Sequence, residues 1–399
     1  MTTLHDVLRG TSAIAADATL GLIDVVEQMH ATIGARPEAL GSARRRSAPG
    51  LAGTVYRTLR GATRTLARGS DAGMGALGAL LPDRQPGPRL DAFVGVLNGI
   101  SGDHLVETGN ALAIQMQLRQ GGRALDWAVR PAAGYSGKAL VLVHGLCLTD
   151  LRWRRDGHDH GQALAQDGGY TPLYLRYNSG LHVSVNGRQL AALLEDLVGR
   201  WPVPLEEVAI IGHSMGGLVA RSACHYGRLA GHSWLRRLRH LVFLGTPHHG
   251  TPLERGGNRL DLLLELSPYS APITRLGRVR SAGITDLRYG DLRDEDWLGR
   301  DRFERGNDRR QPVPLPDGAR CYAVAAVLGK RRGSIRDRLV GDGLVPLDSA
   351  LGRHARPELA LPVPASRQWI AHGTGHLELL ASRAVYERVV GWLVPEPAR

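Results

Sequence analysis

One turn constrains the fold of this chain more than any other feature. The apolar run at 208–211 leads directly into Gly212-His213-Ser214-Met215-Gly216, and a helical pattern with Leu218 and Val219 follows. Glycines placed around a serine in this way allow a sharp corner between a buried strand and a helix, and that corner exposes the hydroxyl. A serine hydroxyl is a weak nucleophile that needs an adjacent base. The motif therefore predicts nucleophilic chemistry at Ser214.

The prediction of a nucleophile depends on the flanking strand and helix. The five-residue pattern alone has little specificity in a chain with 51 glycines. A second Gly-His-Ser at 231–233 provides a comparison within the same chain. It lacks the second glycine and follows a predicted helix, not a strand. Ser233 is therefore rejected as a nucleophile.

A second turn follows the apolar run at 139–143, where His144-Gly145-Leu146 ends a predicted strand. Acyl transfer develops negative charge on the carbonyl oxygen of the substrate, and two backbone N–H groups can stabilise it. One donor comes from the residue after the nucleophile and the other from the loop after the earlier strand. We therefore expect Met215 and Leu146 to form an oxyanion hole. The alternative for His144-Gly145 is a simple turn at the end of a strand.

A nucleophilic serine also needs an acid and a histidine, which follow it in that order in strand-turn-helix enzymes of this kind. Asp342 stands between two glycines after the predicted strand at 321–327, and Asp337 and Asp348 are its competitors. His376 opens the last helical pattern, and His372 at the end of the strand at 368–370 is its competitor. We predict Asp342 as the acid and His376 as the base.

Five ordered motifs together resemble bacterial lipases and esterases of the α/β-hydrolase superfamily and the related GPI inositol-deacylase-like hydrolases. They are HGLCLTD at 144–150, GHSMGG at 212–217, FLGTPHHGTP at 243–252, GDGLVP at 341–346 and GHLELL at 375–380. The resemblance covers roughly 125–395 and implies carboxylic-ester hydrolysis with Ser214, Asp342 and His376 at matching positions. Some such lipases bind calcium through an aspartate where this chain has Glu378. We expect no metal and no cofactor here.

The pattern of the chain changes near residue 120. After it, short apolar runs alternate with helical stretches, which is typical of a mostly parallel α/β sheet flanked by helices. Strands are predicted at 139–143, 173–177, 208–211, 238–244, 321–327 and 368–370, with helices at 186–200, 215–226 and 377–393. We expect a catalytic domain at 121–399. The polar stretch at 251–317 interrupts the alternation and predicts a lid or cap insertion.

Residues 1–120 form a predicted helical extension, with amphipathic helices at 14–33 and 51–81. In the second helix, arginines at three- and four-residue steps share one face and leucines occupy the other. Two interpretations remain open. The helix lies on an anionic membrane as a peripheral contact, or it packs on the hydrolase with a solvated arginine face.

The net charge of +12 comes almost wholly from arginine, since the only lysines are Lys138 and Lys330. With abundant glycine and alanine, this composition is typical of a GC-rich coding bias. No basic run is interleaved with aromatic residues, so nucleic acid is not an expected partner. Cys147, Cys224 and Cys321 are scattered, which disfavours a disulfide framework or a zinc site. With no secretory signal and no long apolar run, we expect a cytoplasmic protein, membrane-associated if the extension binds lipid.

The predicted substrate is a small-molecule ester of hydrophobic or lipid-like character. An acyltransferase or a thioesterase could use the same three residues. A non-catalytic binding protein on this fold is the alternative from another class, since fold does not imply function. The sequence does not define the oligomeric state.

Overall fold

The computed structural model describes residues 88–126, 134–251, 280–301, 308–329 and 341–394. The predicted helices at 14–33 and 51–81 and the competitor Asp337 lie outside these residues. Among the described residues, 88–104 and those from 113 onwards form one compact unit, and 105–112 belong to another. The predicted division of the chain at residue 120 stays a prediction.

The strands of the described residues are short and mostly apolar. They are β1 Gln117–Gln120, β2 Arg123–Ala124, β3 Lys138–Val143, β4 Thr171–Arg176, β5 Glu207–His213, β6 Leu238–Leu244, β7 Arg320–Val327 and β8 Gln368–His372. They form one sheet in the order β2-β1-β4-β3-β5-β6-β7-β8. β1 pairs antiparallel with β2 and β4, and all pairs from β4 to β8 are parallel.

Helices connect and flank these strands. They are α1 Pro88–Glu107, α2 His160–Gly168, α3 Val183–Arg200, α4 Met215–Leu229, α5 Ala282–Asp286, α6 Asp294–Trp297, α7 Leu347–Ala350 and α8 Arg383–Leu393. α3 packs against α4, and α2 packs against α8. The mostly parallel sheet with flanking helices confirms the predicted α/β-hydrolase fold.

Both faces of the sheet are buried, which explains why its strands are continuous apolar runs. Successive side chains of a strand point to opposite faces. Leu140 and Leu142 of β3 therefore share a core with residues of α2 and α8. Val141 shares the other core with residues of α3 and α4. Burying one such side chain contributes about 1.5–3 kcal/mol.

The connections of β3 create a crevice at one edge of the sheet. β4 lies on one side of β3 and β5 on the other, so the strand order reverses there. Open α/β sheets bind ligands outside the carboxyl ends of the strands at such a reversal. His144 follows β3 and Ser214 follows β5. The sheet therefore brings the first two predicted motifs to its ligand-binding edge.

The prediction of one continuous helix at 377–393 was wrong. A 3-10 turn covers His376–Leu380, and α8 begins only at Arg383. The Ser382 hydroxyl accepts a hydrogen bond from the N–H of Val385 at 3.4 Å. A serine in this position caps a new helix, so the apolar pattern continues across a break in the backbone.

β1 and β2 were not predicted as strands, and β1 lies within the stretch 1–120 that was predicted to be helical. Gln117–Gln120 is polar at both ends, so it lacks the apolar run by which the central strands were found. The six predicted strands are present, with bounds that differ by up to two residues.

Part of the predicted lid at 251–317 is described, and it is bound to the body of the unit. The Ser281 hydroxyl donates to the carbonyl oxygen of Gly99 at 2.6 Å. The Asp286 carboxylate accepts from the N–H of Val183 at 2.7 Å and lies 2.8 Å from His182 Nδ1. Burial raises the pKa of Asp286. The role of this segment as a lid stays a prediction.

A buried ion-pair network connects α1 to the sheet beside the crevice. Arg176, at the end of β4, lies 2.7 Å from Asp91 of α1 and 2.8 Å from Asp150. Arg119 of β1 also contacts Asp150, at 3.1 Å. The Thr149 hydroxyl donates to Asp91. The network thus fixes the start of α1 to the loop that follows β3.

Replacing Arg176 by methionine should lower the free energy of unfolding by about 3–5 kcal/mol, because the buried Asp91 carboxylate loses its counter-charge and Asp150 keeps only Arg119. Arg200→Met is the matched control, since Arg200 pairs with Asp196 at 2.7 Å on an exposed helix surface. Such a pair contributes at most about 1 kcal/mol. Urea unfolding followed by circular dichroism measures both values. Equal losses for the two variants would contradict the importance of the network.

Candidate active site

Ser214 occupies a strained corner between β5 and α4. Its φ of 54° and ψ of −126° lie outside the regions that residues with a side chain prefer. The surrounding backbone holds it there: the N–H of Ser214 donates to Leu244 at 2.8 Å, and its carbonyl oxygen accepts from Gly217 at 3.0 Å. Strain of this kind costs about 1–3 kcal/mol and is concentrated at functional sites.

The glycines of the motif are required by close backbone packing. A Cβ atom at Gly216 would overlap the carbonyl oxygen of Val143 and lie 2.5 Å from that of His144. A Cβ atom at Gly212 would lie 2.5 Å from the Cα atom of Gly217. Real Cβ atoms do not approach so closely, so the corner can form only with glycine at these positions.

The loop after β3 lies directly against the serine. A Cβ atom at Gly145 would be 2.9 Å from the Cβ atom of Ser214. Leu146 follows in this loop and lines the same cavity as Ser214. Met215 is the first residue of α4, so its N–H is one of the four that have no acceptor within the helix. The two predicted oxyanion-hole residues thus flank the serine.

Two hydrogen bonds hold this loop. The Tyr177 hydroxyl donates to the carbonyl oxygen of His144 at 2.7 Å, and the rings of these residues stack at 4.3 Å. The N–H of Cys147 donates to the Ser179 hydroxyl at 3.1 Å. Burial raises the pKa of the Cys147 thiol to about 12, so the thiol is not an activated nucleophile.

His376 and Asp342 form a buried pair. Nδ1 of His376 lies 2.7 Å from Oδ2 of Asp342, and the N–H of His376 donates to the carbonyl oxygen of Asp342 at 3.2 Å. The other carboxylate oxygen accepts from the N–H groups of Leu344 at 3.0 Å and Val345 at 2.8 Å. Both carboxylate oxygens are therefore occupied, and the carboxylate is fixed in its turn.

The competitors occupy different surroundings. Asp348 lies 3.6 Å from Arg353, and the side chains of this pair are partly exposed. His372 ends β8, and within the described residues its Nδ1 has no hydrogen-bond partner. The structure therefore brings His376 and Asp342 together, and it leaves Asp348 and His372 outside this pair.

His213 is a contributor that sequence reasoning did not single out. It is fully buried, and its Nε2 donates to the carbonyl oxygen of His376 at 3.1 Å. Burial, with a further contribution from His376, holds the pKa of His213 well below its usual range. A neutral imidazole thus supports the turn that carries His376. Its position within Gly-His-Ser was the only signal in the sequence.

A cavity of about 40 Å³ opens beside these residues. Ser214, His376 and the loop after β3 form one part of its lining, and Ala92 and Val96 of α1 form another. These two apolar residues were also missed, because an apolar helix position carries no sign of a binding role. The candidate site therefore includes residues that precede the predicted domain boundary at 120.

Within the described ranges, no group of three or more histidine, cysteine, aspartate or glutamate side chains is arranged to hold a metal ion. The Glu378 carboxylate accepts a hydrogen bond from the N–H of Gly375 at 2.7 Å. No helix in the described part of the chain combines the length and apolarity that crossing a bilayer requires.

Replacing Gly216 by alanine should destabilise the protein by about 1–3 kcal/mol, because the added methyl group overlaps the loop after β3. Helix propensity alone predicts the opposite sign, a gain of up to about 1 kcal/mol. Gly199→Ala in α3 is the control, since a Cβ atom there meets no atom within 4 Å. Urea unfolding should show a lower free energy of unfolding for Gly216→Ala and a higher one for Gly199→Ala. A gain for both would contradict the packing argument.

Several solved structures are similar to parts of this chain at low sequence identity. Among solved structures, the chain is similar to Bacillus licheniformis lipase BlEst2, with a TM-score of 0.43 and 18% identity over 70% of this chain and 98% of that one. For Aspergillus fumigatus lipase B, the TM-score is 0.41 and the identity 13%, over 71% of this chain and 57% of that one. For a Pyrococcus furiosus esterase, the TM-score is 0.37 and the identity 17%, over 65% of this chain and 82% of that one. No curated protein matches the chain.

A family of protein sequences also matches part of the chain. Residues 135–302 match the family described as PGAP1-like alpha/beta domain. This range contains His144, Leu146, Ser214 and Met215, whereas Asp342 and His376 follow it. The match confirms the resemblance that the ordered motifs predicted: over residues 135–302, this chain is similar to the PGAP1-like alpha/beta domain.

Proposed function

We propose that this protein is a serine hydrolase that cleaves carboxylic esters of hydrophobic or lipid-like compounds through Ser214, His376 and Asp342. The observation that carries the proposal is the buried 2.7 Å contact between His376 Nδ1 and Asp342, beside the cavity that Ser214 lines. A serine at a strained corner, in the same cavity as a base that a carboxylate orients, is the arrangement that activates a hydroxyl.

The hydrogen bond to Asp342 determines which nitrogen of His376 is the base. A carboxylate oxygen accepts, so Nδ1 carries the proton and Nε2 keeps its lone pair for the Ser214 hydroxyl. Ser214 then attacks the ester carbonyl as His376 takes its proton. Asp342 stabilises the imidazolium that forms. His376 returns the proton to the leaving alcohol, and water releases the acyl group by the same route.

The oxyanion that forms in each step needs two donors. We assign them to the N–H groups of Leu146, in the loop that lines the same cavity as the serine, and of Met215, which follows the serine in sequence. The hydrogen bonds that hold His144 and Cys147 support this assignment, because they keep the loop in place before the substrate binds. Preorganised donors are usually the largest single contribution to acyl-transfer catalysis.

The walls of the cavity support a hydrophobic acyl group. Five of its twelve lining residues have aliphatic side chains: Ala92, Val96, Leu146, Leu148 and Leu377. We propose that residues 121–399 carry the catalytic machinery and that α1, from the extension at 1–120, adds an acyl-binding wall.

Ser214→Ala should abolish labelling by a fluorophosphonate probe and lower the hydrolysis of p-nitrophenyl esters by at least about 10⁴-fold, because the nucleophile is lost. Ser233→Ala is the control, since Ser233 also follows Gly-His but lies in a 3-10 turn after α4. This variant should react with the probe and hydrolyse the esters at the same rate as the wild type. Labelling and turnover by Ser214→Ala would refute the assignment.

The same assay tests the substrate class when the acyl chain is varied from acetate to octanoate. Hydrolysis should be faster with the longer chains, because they bury more apolar surface against α1. A sharp preference for acetate would remove the lipid-like part of the proposal and leave a small-ester esterase.

Asp342→Asn should lower kcat by about 10⁴-fold with little change in fold. The amide oxygen can still accept from Leu344 and Val345, but the NH₂ group facing Nδ1 favours the wrong tautomer of His376. Asp348→Asn is the matched control, since Asp348 is the exposed competitor, and kcat should stay within about twofold of the wild type. Steady-state kinetics and circular dichroism on both variants make the comparison. A large loss in Asp348→Asn with none in Asp342→Asn would reverse the assignment.

A further inference from the structure

A second cavity, of about 200 Å³, lies further along α4 and shares no lining residue with the catalytic cavity. Arg221, His248 and Arg310 line it. Arg221 follows Ser214 by seven residues on α4, which corresponds to about 10 Å along the helix axis. His248 belongs to the turn after β6, so neither group takes part in the proposed ester chemistry.

Arg221 is a buried cation without a carboxylate. Its side chain is nearly inaccessible, and among the described residues no acidic group pairs with it. One guanidinium nitrogen donates to the carbonyl oxygen of Val313 at 2.9 Å, and another contacts His248 Nδ1 at 3.3 Å. Nε has no partner in this part of the chain. Burial, and then the neighbouring Arg310, lower the pKa of Arg221 to about 10.

His248 adds a second unused donor. Because Arg221 can only donate, Nδ1 of His248 must accept, and the proton of the neutral ring is on Nε2. This Nε2–H is buried and has no acceptor within the described residues. Burial, and then Arg221, hold the pKa of His248 well below its usual range, which agrees with the neutral form. A buried donor without an acceptor is unfavourable unless a ligand accepts from it.

The other charges at this cavity are already compensated. Arg310 pairs with Asp308 at 2.8 Å and donates to the carbonyl oxygen of His248 at 3.0 Å. Of the acidic residues in the lining, Asp296 accepts from two backbone N–H groups and contacts Arg293 at 3.2 Å. Glu358 is exposed and pairs with Arg356 at 2.8 Å. Among the described residues, the guanidinium charge of Arg221 therefore has no carboxylate to compensate it.

We infer that this cavity binds a phosphate-class oxyanion through the guanidinium of Arg221 and Nε2–H of His248. Both residues line the cavity, and an anion there would give their unused donors an acceptor and neutralise the buried cation. The anion is either free inorganic phosphate or the phosphate group of a phosphorylated ester substrate. The second source rests on the proposed function, and the first does not.

Inorganic phosphate added to the full-length wild-type protein should bind saturably by titration calorimetry. It should also raise the unfolding temperature more than sodium chloride of equal ionic strength, because a ligand that binds only the folded state stabilises it. Arg221→Met should weaken the binding at least about tenfold. Arg188→Met is the control, since Arg188 pairs with Asp294 on the surface, and its binding should be unchanged.

His248→Phe provides a second variant that keeps a ring beside Phe243, whose ring packs against His248 at 4.6 Å. It should also weaken phosphate binding. The absence of saturable binding to the wild type would overturn the inference whether or not either variant folds. Equal binding by the wild type and Arg221→Met would overturn it as well.

Kinetics distinguish the two sources of the anion. If the phosphate belongs to the substrate, Arg221→Met should raise KM for dihexanoylglycerol phosphate but not for dihexanoylglycerol, and inorganic phosphate should compete with the phosphorylated ester. If the anion is free, phosphate binds without competition. A protein that hydrolyses neither ester but binds phosphate would contradict the proposed function and leave this inference standing.

Discussion

The carbonyl oxygens of Val143 and His144 lie against the backbone of Gly216, and this contact determines where the two functional turns meet. It exists because β3 and β5 are neighbours in the sheet, with their carboxyl ends at the same edge. The register of the two strands then sets the position of the loop after β3 relative to the serine. A side chain at 216 or at 145 would separate the two turns. The apolar strands are thus the scaffold, and the glycines set how closely the turns approach.

The pair of His376 and Asp342 is supported from two sides by groups that cannot ionise easily. His213 donates to the carbonyl oxygen of His376, and burial keeps its imidazole neutral. On the other side, the N–H groups of Leu344 and Val345 fix the Asp342 carboxylate. Neutral supports add no charge that would compete with Asp342 for the imidazole. The orientation of His376 therefore depends on backbone hydrogen bonds more than on further ion pairs.

The sequence predicted those features in which glycine or apolar spacing is dictated by the backbone. The corner at Ser214 and the central strands follow from such patterns, and the structure contains both. It could not predict that Val96 lines the catalytic cavity, because an apolar helix residue has the same appearance at a core and at a binding wall. The break before α8 was missed since Ser382 interrupts an apolar pattern that continues beyond it. Long-range pairs such as Arg176 with Asp91 leave no local pattern at all.

α4 connects the catalytic cavity, which Ser214 lines at its start, with the second cavity, which Arg221 lines. Its first turn is fixed by the contacts of Gly216 and Gly217, the latter against Thr246 in the turn that leads to His248. Arg221, further along the same helix, contacts the His248 ring. The turn after β6 therefore touches α4 near the serine and again beside Arg221. An anion that neutralises Arg221 would stabilise the second of these contacts, and through the helix it would also stabilise the corner at which Ser214 is held.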